Sequence, residues 1–514
     1  MTGLTMGEIF TFGRRRFAAS TVTTIRNARP VVLTFAEIAD RAERLAQALL
    51  DRGVGTGDVI VTVCRNHHEH LEVLFASHLL GTVFAPLNPR ADKASLAAMV
   101  ESCSPAVVVA DADMTALLDA GPLGDREVVR LSVARADGWD DYSAAIDSTG
   151  PLRAPLAGPD ESALAAVLFT GGTTGIPKGA TYTQQALYLH TVSYSSIATC
   201  PLRPDDTVLA LVPICHGLGW NLPQVCWLSG IDLVFIDGSL PADVILRTVE
   251  QLNITASSAV PTVWNDVAAH AATVGVTHIG DLRTVVIGGA MTPSGLPARL
   301  RELGVTTYVG WGMTETLPAT LSLMDSPVPG APIEPDVRTS RPNIGVQLRT
   351  EPIAGDSRDG GALLISAPWV TGQYLGLPAP QSRWFDTGDI GEVGAEGQMT
   401  ILGRAKEMIK SGGEAIWPGP IEDALLRHPG VAGAAVIEIP HERWGGQPLA
   451  IVHLTEHVDA SELRSLLLET LPKWQVPTVY AVVPEIPRTA VGKADKLLLA
   501  TMHAQGSLDL QTAD

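Results

Sequence analysis

The sequence predicts an α/β protein of two unequal parts, and three observations carry that prediction. Short β-type runs alternate with amphipathic helical stretches and Gly-rich turns, the pattern of parallel βαβ units in parallel or mixed sheets. A chain of 514 residues is too long for one hydrophobic core. After Arg404 the pattern restarts on a smaller scale with a helix, two strands and a second helix, an α+β arrangement. We therefore divide the chain into a large part, residues 1–403, and a small part, residues 404–514.

In the large part, Thr34 and Glu37 form a capping box. Ile38, Ala42, Leu45, Ala46 and Leu49 then share one helical face until Gly53 ends the helix. Asp58 to Val63 reads as a buried strand, His67 to Leu80 as a helix, and Val83 to Pro86 and Ala106 to Ala110 as strands. Leu131 to Pro159, rich in Asp, Gly, Ser and Pro, reads as a loop, and Ala163 to Phe169 as the strand that follows it. Further strands are expected at Val208 to Pro213, Thr284 to Ile287 and Thr307 to Val309. In the small part, Ile421 to His428 reads as a helix with Pro420 at or near its first turn. Val431 to Ile439 and Leu449 to Leu454 read as strands, and Ala460 to Leu471 as a helix.

The net charge of −19 excludes a nucleic-acid binder, which needs a basic face. Five cysteines (Cys64, Cys103, Cys200, Cys215, Cys226) without a C-x-x-C pair suit reduced core thiols in a cytoplasmic protein rather than a zinc site. Arg14-Arg15-Arg16 is not followed by the apolar run a twin-arginine signal requires. No run of eighteen apolar residues is present to span a membrane.

The stretch Leu168 to Gly179, LFTGGTTGIPKG, has the chemistry of a phosphate loop. Gly171, Gly172 and Gly175 allow positive φ and close backbone approach to an anion. Thr170, Thr173 and Thr174 add hydroxyls, and Lys178 a mobile positive charge. It is not a Walker loop, because Pro177 precedes the lysine and Gly179 follows it. Two strands end in glycines, at Gly288-Gly289 and at Gly310-Trp311-Gly312, which suits a planar base along the backbone with an indole against it. Thr314 and Glu315 then face phosphate, and a carboxylate there implies an intervening Mg²⁺. In Trp384-Phe385-Asp386-Thr387-Gly388-Asp389, one carboxylate can hold a ribose diol, and we choose Asp389 over Asp386. His216 and Trp220, four residues apart, would share a helical face. On residue types alone a core histidine beside a core tryptophan is the better reading.

The spelling TGGTTGIPKG resembles the signature of the adenylate-forming enzymes: acyl-CoA synthetases, peptide-synthetase adenylation domains and beetle luciferases. Pro213, His216, Trp220 and Pro223 are similar in spacing to a pattern of medium- and long-chain fatty acyl-CoA synthetases. The resemblance implies a large adenylate-forming domain, a small mobile one, and ATP, Mg²⁺ and coenzyme A as cofactors. On its pattern Lys493, Thr314 and His216 are catalytic. Thr170 to Gly175, Lys178, Gly289, Val309, Gly310 and Trp311 bind the nucleotide, with Asp389 on the ribose and Arg404 beside it. Glu315, with Thr170, holds the metal. Lys406 is the hinge, and Lys410, Gly412 and Gly413 lie on the coenzyme A path. His216, Gly217, Trp220, Gly310 and Gly312 surround the acyl group. The substrate implied is a carboxylic acid of the medium- or long-chain fatty type, with an aryl or short-chain acid as the alternative. The acceptor is coenzyme A or an acyl carrier protein, and a homodimer is allowed. The chain departs from close relatives at Ala415 and Pro420, which affects one adenine-side contact rather than the chemistry, and at Gly172, where relatives more often carry serine.

Overall fold

The computed structural model describes residues 3–124, 127–153, 156, 158–170, 177–196, 201–330, 333–334, 336–353, 360–370, 372–489 and 493–513. Among them the chain forms sheets of thirteen, seven and six strands. The first two, with their helices, make the large part, and the third begins at Ile409–Ser411 and makes the small one.

The seven-stranded sheet is parallel through Val129–Ser132, Val107–Ala110, Val59–Val63, Val83–Pro86 and Leu164–Phe169, with Gly179–Thr183 added antiparallel. Strands spelled VIVTV and VVVA are almost wholly buried, as strands covered by helices on both faces should be. The thirteen-stranded sheet has a parallel centre, including Thr207–Ala210, Ala256–Ala259, Thr284–Ile287 and Thr306–Met313, and an antiparallel flank from Leu317–Asp325 onward. The capping box at Thr34 is present, and the helix it opens, Phe35–Leu50, buries Ile38, Ala42, Leu45, Ala46 and Leu49 completely. That helix packs on Trp227, whose indole stacks on Phe35 at 4.3 Å. Gly13 is required there, since a Cβ would fall 2.3 Å from the indole.

Three local expectations, at Leu131 to Pro159, Thr307 to Val309 and His216 to Trp220, need correction. Leu131 to Pro159 is not a plain loop. It holds the end of Val129–Ser132, the short strand Asp140–Asp141 and the helix Tyr142–Asp147. Tyr142 is buried and donates its hydroxyl to Glu72 at 2.9 Å, a tertiary anchor that outweighs the turn-rich composition. The stretch after the arginine triplet is a hairpin, Thr21–Arg26 with Arg29–Thr34, turned by positive φ at Asn27 and Ala28. The strand expected at Thr307 to Val309 runs from Thr306 to Met313 and folds straight back as Leu317–Asp325. The segment between His216 and Trp220 is not a right-handed helix. Gly217, Leu218, Gly219, Trp220 and Asn221 have φ between 53 and 62°, a left-handed turn. Each non-glycine residue there costs about 1–2 kcal/mol.

His67, at the start of the helix His68–Leu80, is pinned by Asp111 at 2.8 Å and Glu69 at 3.0 Å, and Glu69 in turn pairs with Arg26. Cys64, Cys103, Cys215 and Cys226 are buried and outside any disulfide, and Cys200 lies outside the described residues. No described helix is long and apolar enough to cross a membrane.

Candidate active site

The phosphate-loop segment joins two antiparallel strands, with Phe169 opposite Gly179. Its base is stitched by Thr170 N donating to the Lys178 carbonyl at 3.0 Å and Lys178 N donating to Thr170 Oγ1 at 3.3 Å. Gly171, Gly172, Thr173, Thr174 and Gly175 lie outside the described residues. Lys178 Nζ stands 5.5 Å from the centre of the Tyr374 ring, and Tyr374 donates its hydroxyl to Glu315 Oε1 at 2.7 Å. Tyr374 therefore links the lysine of the loop to the buried carboxylate. Burial and then the Glu315 charge hold its phenol above the ordinary tyrosine range.

Thr314 and Glu315 occupy the tip of the hairpin formed by Thr306–Met313 and Leu317–Asp325. Tyr182 donates to the Thr314 carbonyl at 2.6 Å, and Trp369 Nε1 to the Thr316 carbonyl at 3.0 Å, so the tip is fixed from two sides. The glycines below it serve close backbone packing. A Cβ on Gly312 would lie 2.2 Å from the Leu317 carbonyl, and one on Gly310 2.9 Å from that of Thr320. Val309 turns its side chain into a core cluster, which leaves its backbone for any ligand contact.

Trp311 donates its indole N–H to Asp389 Oδ2 at 2.9 Å, and Arg404 Nε lies 2.8 Å from Asp389 Oδ1. Asp389 and Arg404 are direct partners on neighbouring strands, so both Asp389 oxygens are oriented by the sheet. Burial raises the Asp389 carboxyl above its ordinary range, while Arg404, Trp311 and Lys493 pull it back. Asp386, by contrast, is exposed and caps its own turn through Gly388 N at 2.9 Å.

Lys493 comes from the small part yet stands in this cleft. Its loop is closed by Thr489 N donating to the Lys493 carbonyl at 2.8 Å. Its side chain meets solvent, but the crowding of the cleft, then Arg404 and Lys406, hold its ammonium below the ordinary lysine range, with Asp389 and Glu407 acting the other way. The same ammonium acts on His216 through its charge. Burial first, then Lys493 and Arg90, lower that imidazole to about 4, so the ring is neutral at neutral pH. The two parts are tied by Ser294 N donating to Asp423 Oδ1 at 2.7 Å and Arg427 Nε to Ser294 Oγ at 3.3 Å.

Gly412 and Gly413 are not brought to Lys493. They form an exposed hairpin turn, both at positive φ, between Ile409–Ser411 and Glu414–Ile416. Gly412 packs so closely on Trp444 that a Cβ would fall 2.7 Å from the indole. Lys410 is exposed on the same hairpin, and Lys406 is exposed in the 3-10 turn Ala405–Glu407.

Trp220 closes the other side of the cleft. Its indole rests on Gly288 and Gly289, where a Cβ would come within 3.3 and 3.2 Å of ring atoms. The left-handed turn that delivers it starts at Gly217 and is held at its end. Asn221 Nδ2 donates to His190 Nδ1 and to Thr191 Oγ1, each at 2.8 Å, and His190 Nε2 donates to the Pro318 carbonyl at 3.1 Å.

Comparison with known proteins decides the family. The model of the AMP-binding enzyme family matches residues 15–375, and that of the AMP-binding enzyme C-terminal domain matches residues 420–493. The chain belongs to the AMP-binding enzymes. It is 34% identical over 492 residues to the long-chain-fatty-acid–CoA ligase of Thermus thermophilus, covering 91% of this chain and 90% of that protein. It is 32% identical to the 3-methylmercaptopropionyl-CoA ligase of Ruegeria lacuscaerulensis, covering 90% of each. An anthranilate CoA ligase in complex with anthranoyl-AMP has the same fold, with a TM-score of 0.85 at 20% identity and 98% of each chain covered. The AMP-binding enzyme described here is an acid–thiol ligase that uses ATP and coenzyme A.

Sequence reasoning missed four residues of this enzyme's cleft. Tyr374, Tyr182 and Trp369 carry no local signal, since only the sheet register brings them to the 314–316 tip. The left-handed turn does have one in Gly217-Leu218-Gly219-Trp220-Asn221, because Gly and Asn are the residues that accept positive φ. Asn221 could have been found there.

Proposed function

We propose that the enzyme activates a predominantly apolar carboxylic acid, of the medium- or long-chain fatty type, and transfers it to coenzyme A rather than to a carrier protein. The observation that supports this reading most is the lining behind Trp220, a space of about 10 Å³ walled by Tyr194, Leu202, Val208, Leu222 and Val286 with Ser257 and Ser258 and by no acidic residue. A buried ammonium without a carboxylate partner would be strongly disfavoured, so amino acids should be rejected.

In the proposed first half-reaction a carboxylate oxygen attacks the α-phosphorus and pyrophosphate leaves. The neutral His216 borders the carboxylate, while Lys493, Thr314 and the loop from Thr170 to Lys178 stabilise phosphate charge. Asp389 and Arg404 hold the ribose. Gly289, Val309, Gly310 and Trp311 line the base through backbone and indole, and Gly217 and Gly312 give the acyl carbonyl room. Glu315 suits Mg²⁺. Oε1 accepts from Tyr374, Oε2 has no recorded partner among the described residues, and one carboxylate with substrate phosphates is a usual magnesium set. Thr170 Oγ1 is engaged by Lys178 N, which makes Glu315 the better oxygen donor. Bound there, the metal would neutralise polyphosphate charge. In the second half-reaction the small part turns about Lys406, withdraws Lys493 and brings the Lys410 to Gly413 hairpin toward the entering thiol.

A pyrophosphate-release screen over carboxylic acids tests the substrate class. Each methylene admitted gains up to about 0.8 kcal/mol, roughly fourfold in kcat/KM. Activity should therefore rise with chain length through the medium range, and Trp220→Ala should move the optimum to longer acids. A preference for acetate or an amino acid would refute the fatty-acid reading and leave the family standing.

A further inference from the structure

Three residues after Lys493 stands a second lysine that the site as described does not use. Lys496 opens the last helix, Lys496–Ala504, and its ammonium lies between two carboxylates, 2.9 Å from Glu407 Oε2 and 2.9 Å from Glu422 Oε1. Glu422 belongs to the helix Pro418–Leu425 and is fixed there, because its Oε1 also accepts from Val436 N at 2.8 Å. Glu407 closes the 3-10 turn Ala405–Glu407, which packs on the strand Phe385–Val393 that carries Asp389. The loop of Lys493 is anchored at the same point. Arg488 and Ala494 pair across it, and Asp495 N donates to the Pro487 carbonyl at 2.8 Å.

The charged groups around Lys493 divide by sign. Arg404 and Lys406 repel its ammonium, His216 faces it as a neutral ring, and Asp389 and Glu407 attract it. Both attracting carboxylates are already engaged, Asp389 by Arg404 at 2.8 Å and Trp311 at 2.9 Å, Glu407 by Lys496. An ammonium paired with a carboxylate would have to give up that partner before it could meet a phosphate, and the exchange would cancel much of its value in the transition state. We infer that Lys496 is a positioning residue, which holds the Glu407 carboxylate against the body of the small part and so keeps the Lys493 ammonium for the phosphate of ATP. This rests on the reading of Lys493 as the lysine of the first half-reaction. Lys496 acts through Glu407 and needs no contact with substrate.

The test measures pyrophosphate release by the full chain, with ATP varied and a saturating carboxylic acid taken from the screen above. Lys496→Met keeps the length of the side chain and removes its charge. It should lower kcat/KM for ATP about fivefold, the worth of a half-buried ion pair newly formed between Glu407 and Lys493, and leave thioester formation from supplied acyl-AMP close to wild type. A carboxylate beside Lys493 holds its proton, so the alkaline limb of the profile should move up by about 0.7 of a pH unit, the same fivefold expressed as proton affinity. Adding Glu407→Gln should restore both rate and profile, and Lys496→Arg should keep them. In a Lys493→Ala background Lys496→Met should cost nothing further. Lys496→Gln takes its place in each comparison if Lys496→Met does not fold. A loss that Glu407→Gln does not relieve, an unmoved alkaline limb, or a further loss in the Lys493→Ala background would overturn the inference and leave Lys496 a brace of the small part. If Lys493→Ala itself releases pyrophosphate at the wild-type rate, the reading of Lys493 falls as well.

Discussion

Lys493→Ala should lower acid-dependent pyrophosphate release by about 10² to 10³-fold, the usual loss for one pre-placed charge at a transition state. Thioester formation from supplied acyl-AMP should stay close to wild type. The expectation follows from where the ammonium stands, in one cleft with His216, Asp389 and Arg404 although it comes from the small part. At ~4 Å and an effective dielectric near 20, its attraction to a phosphate oxygen is about 4 kcal/mol before desolvation. Arg404 and Lys406 already crowd it, so it gains from an incoming anion. Because its proton is held less tightly than that of an ordinary lysine, adenylation should also fall on the alkaline side earlier than a solvated lysine would allow. Equal losses in both half-reactions would contradict a lysine that acts in one domain arrangement only.

Glu315→Gln should lower adenylation by about 10²-fold at low Mg²⁺, with part of the loss recovered at high Mg²⁺, and leave the order of preference among acids unchanged. The carboxylate is buried at a hairpin tip, and its hydrogen-bond partner among the described residues is the Tyr374 hydroxyl. Tyr374→Phe provides the control. It removes that hydrogen bond but keeps the negative charge, so it should cost about tenfold or less and move the Mg²⁺ dependence little. Magnesium titrations of pyrophosphate release in the two variants separate the cases. A Glu315→Gln enzyme with wild-type Mg²⁺ dependence would make the carboxylate a structural partner of Tyr374.

Most of the α/β framework was legible because its strands are short Val- and Ile-rich runs between Gly-bearing turns and its helices have clean apolar faces. The Thr34–Glu37 capping box and the strand at Val83 to Pro86 lie where the pattern puts them. Local composition failed where a distant partner decides the conformation. Tyr142 holds a helix inside an Asp- and Gly-rich stretch because Glu72 accepts its hydroxyl. The Leu317–Asp325 strand returns on Thr306–Met313 because glycines at 310 and 312 admit the backbone so closely.

At the site, Lys178, Glu315 and Asp389 are candidates from their motifs and Lys493 from the family resemblance, and the structure sets Lys178 near Tyr374 and Glu315, and Asp389 against Arg404. Their supports are not legible in the sequence, because Tyr374 and Tyr182 reach the cleft only through sheet register. The indole of Trp311 illustrates the limit. Its type suggests stacking on a base, and nothing in that type indicates that its N–H also donates to Asp389. Spacing indicates which side chains meet, but not which atoms.

The central claim is that this chain makes an acyl-adenylate and then a thioester. Its most direct test is to incubate the purified protein with ATP, Mg²⁺ and a medium-chain acid, first without and then with coenzyme A, and to identify every adenine-containing and acyl product. The account predicts an enzyme-bound acyl-AMP with pyrophosphate in the first stage, converted to acyl-CoA and AMP in equal amounts in the second. Release of ADP and phosphate, or AMP formation independent of any acid, would contradict it.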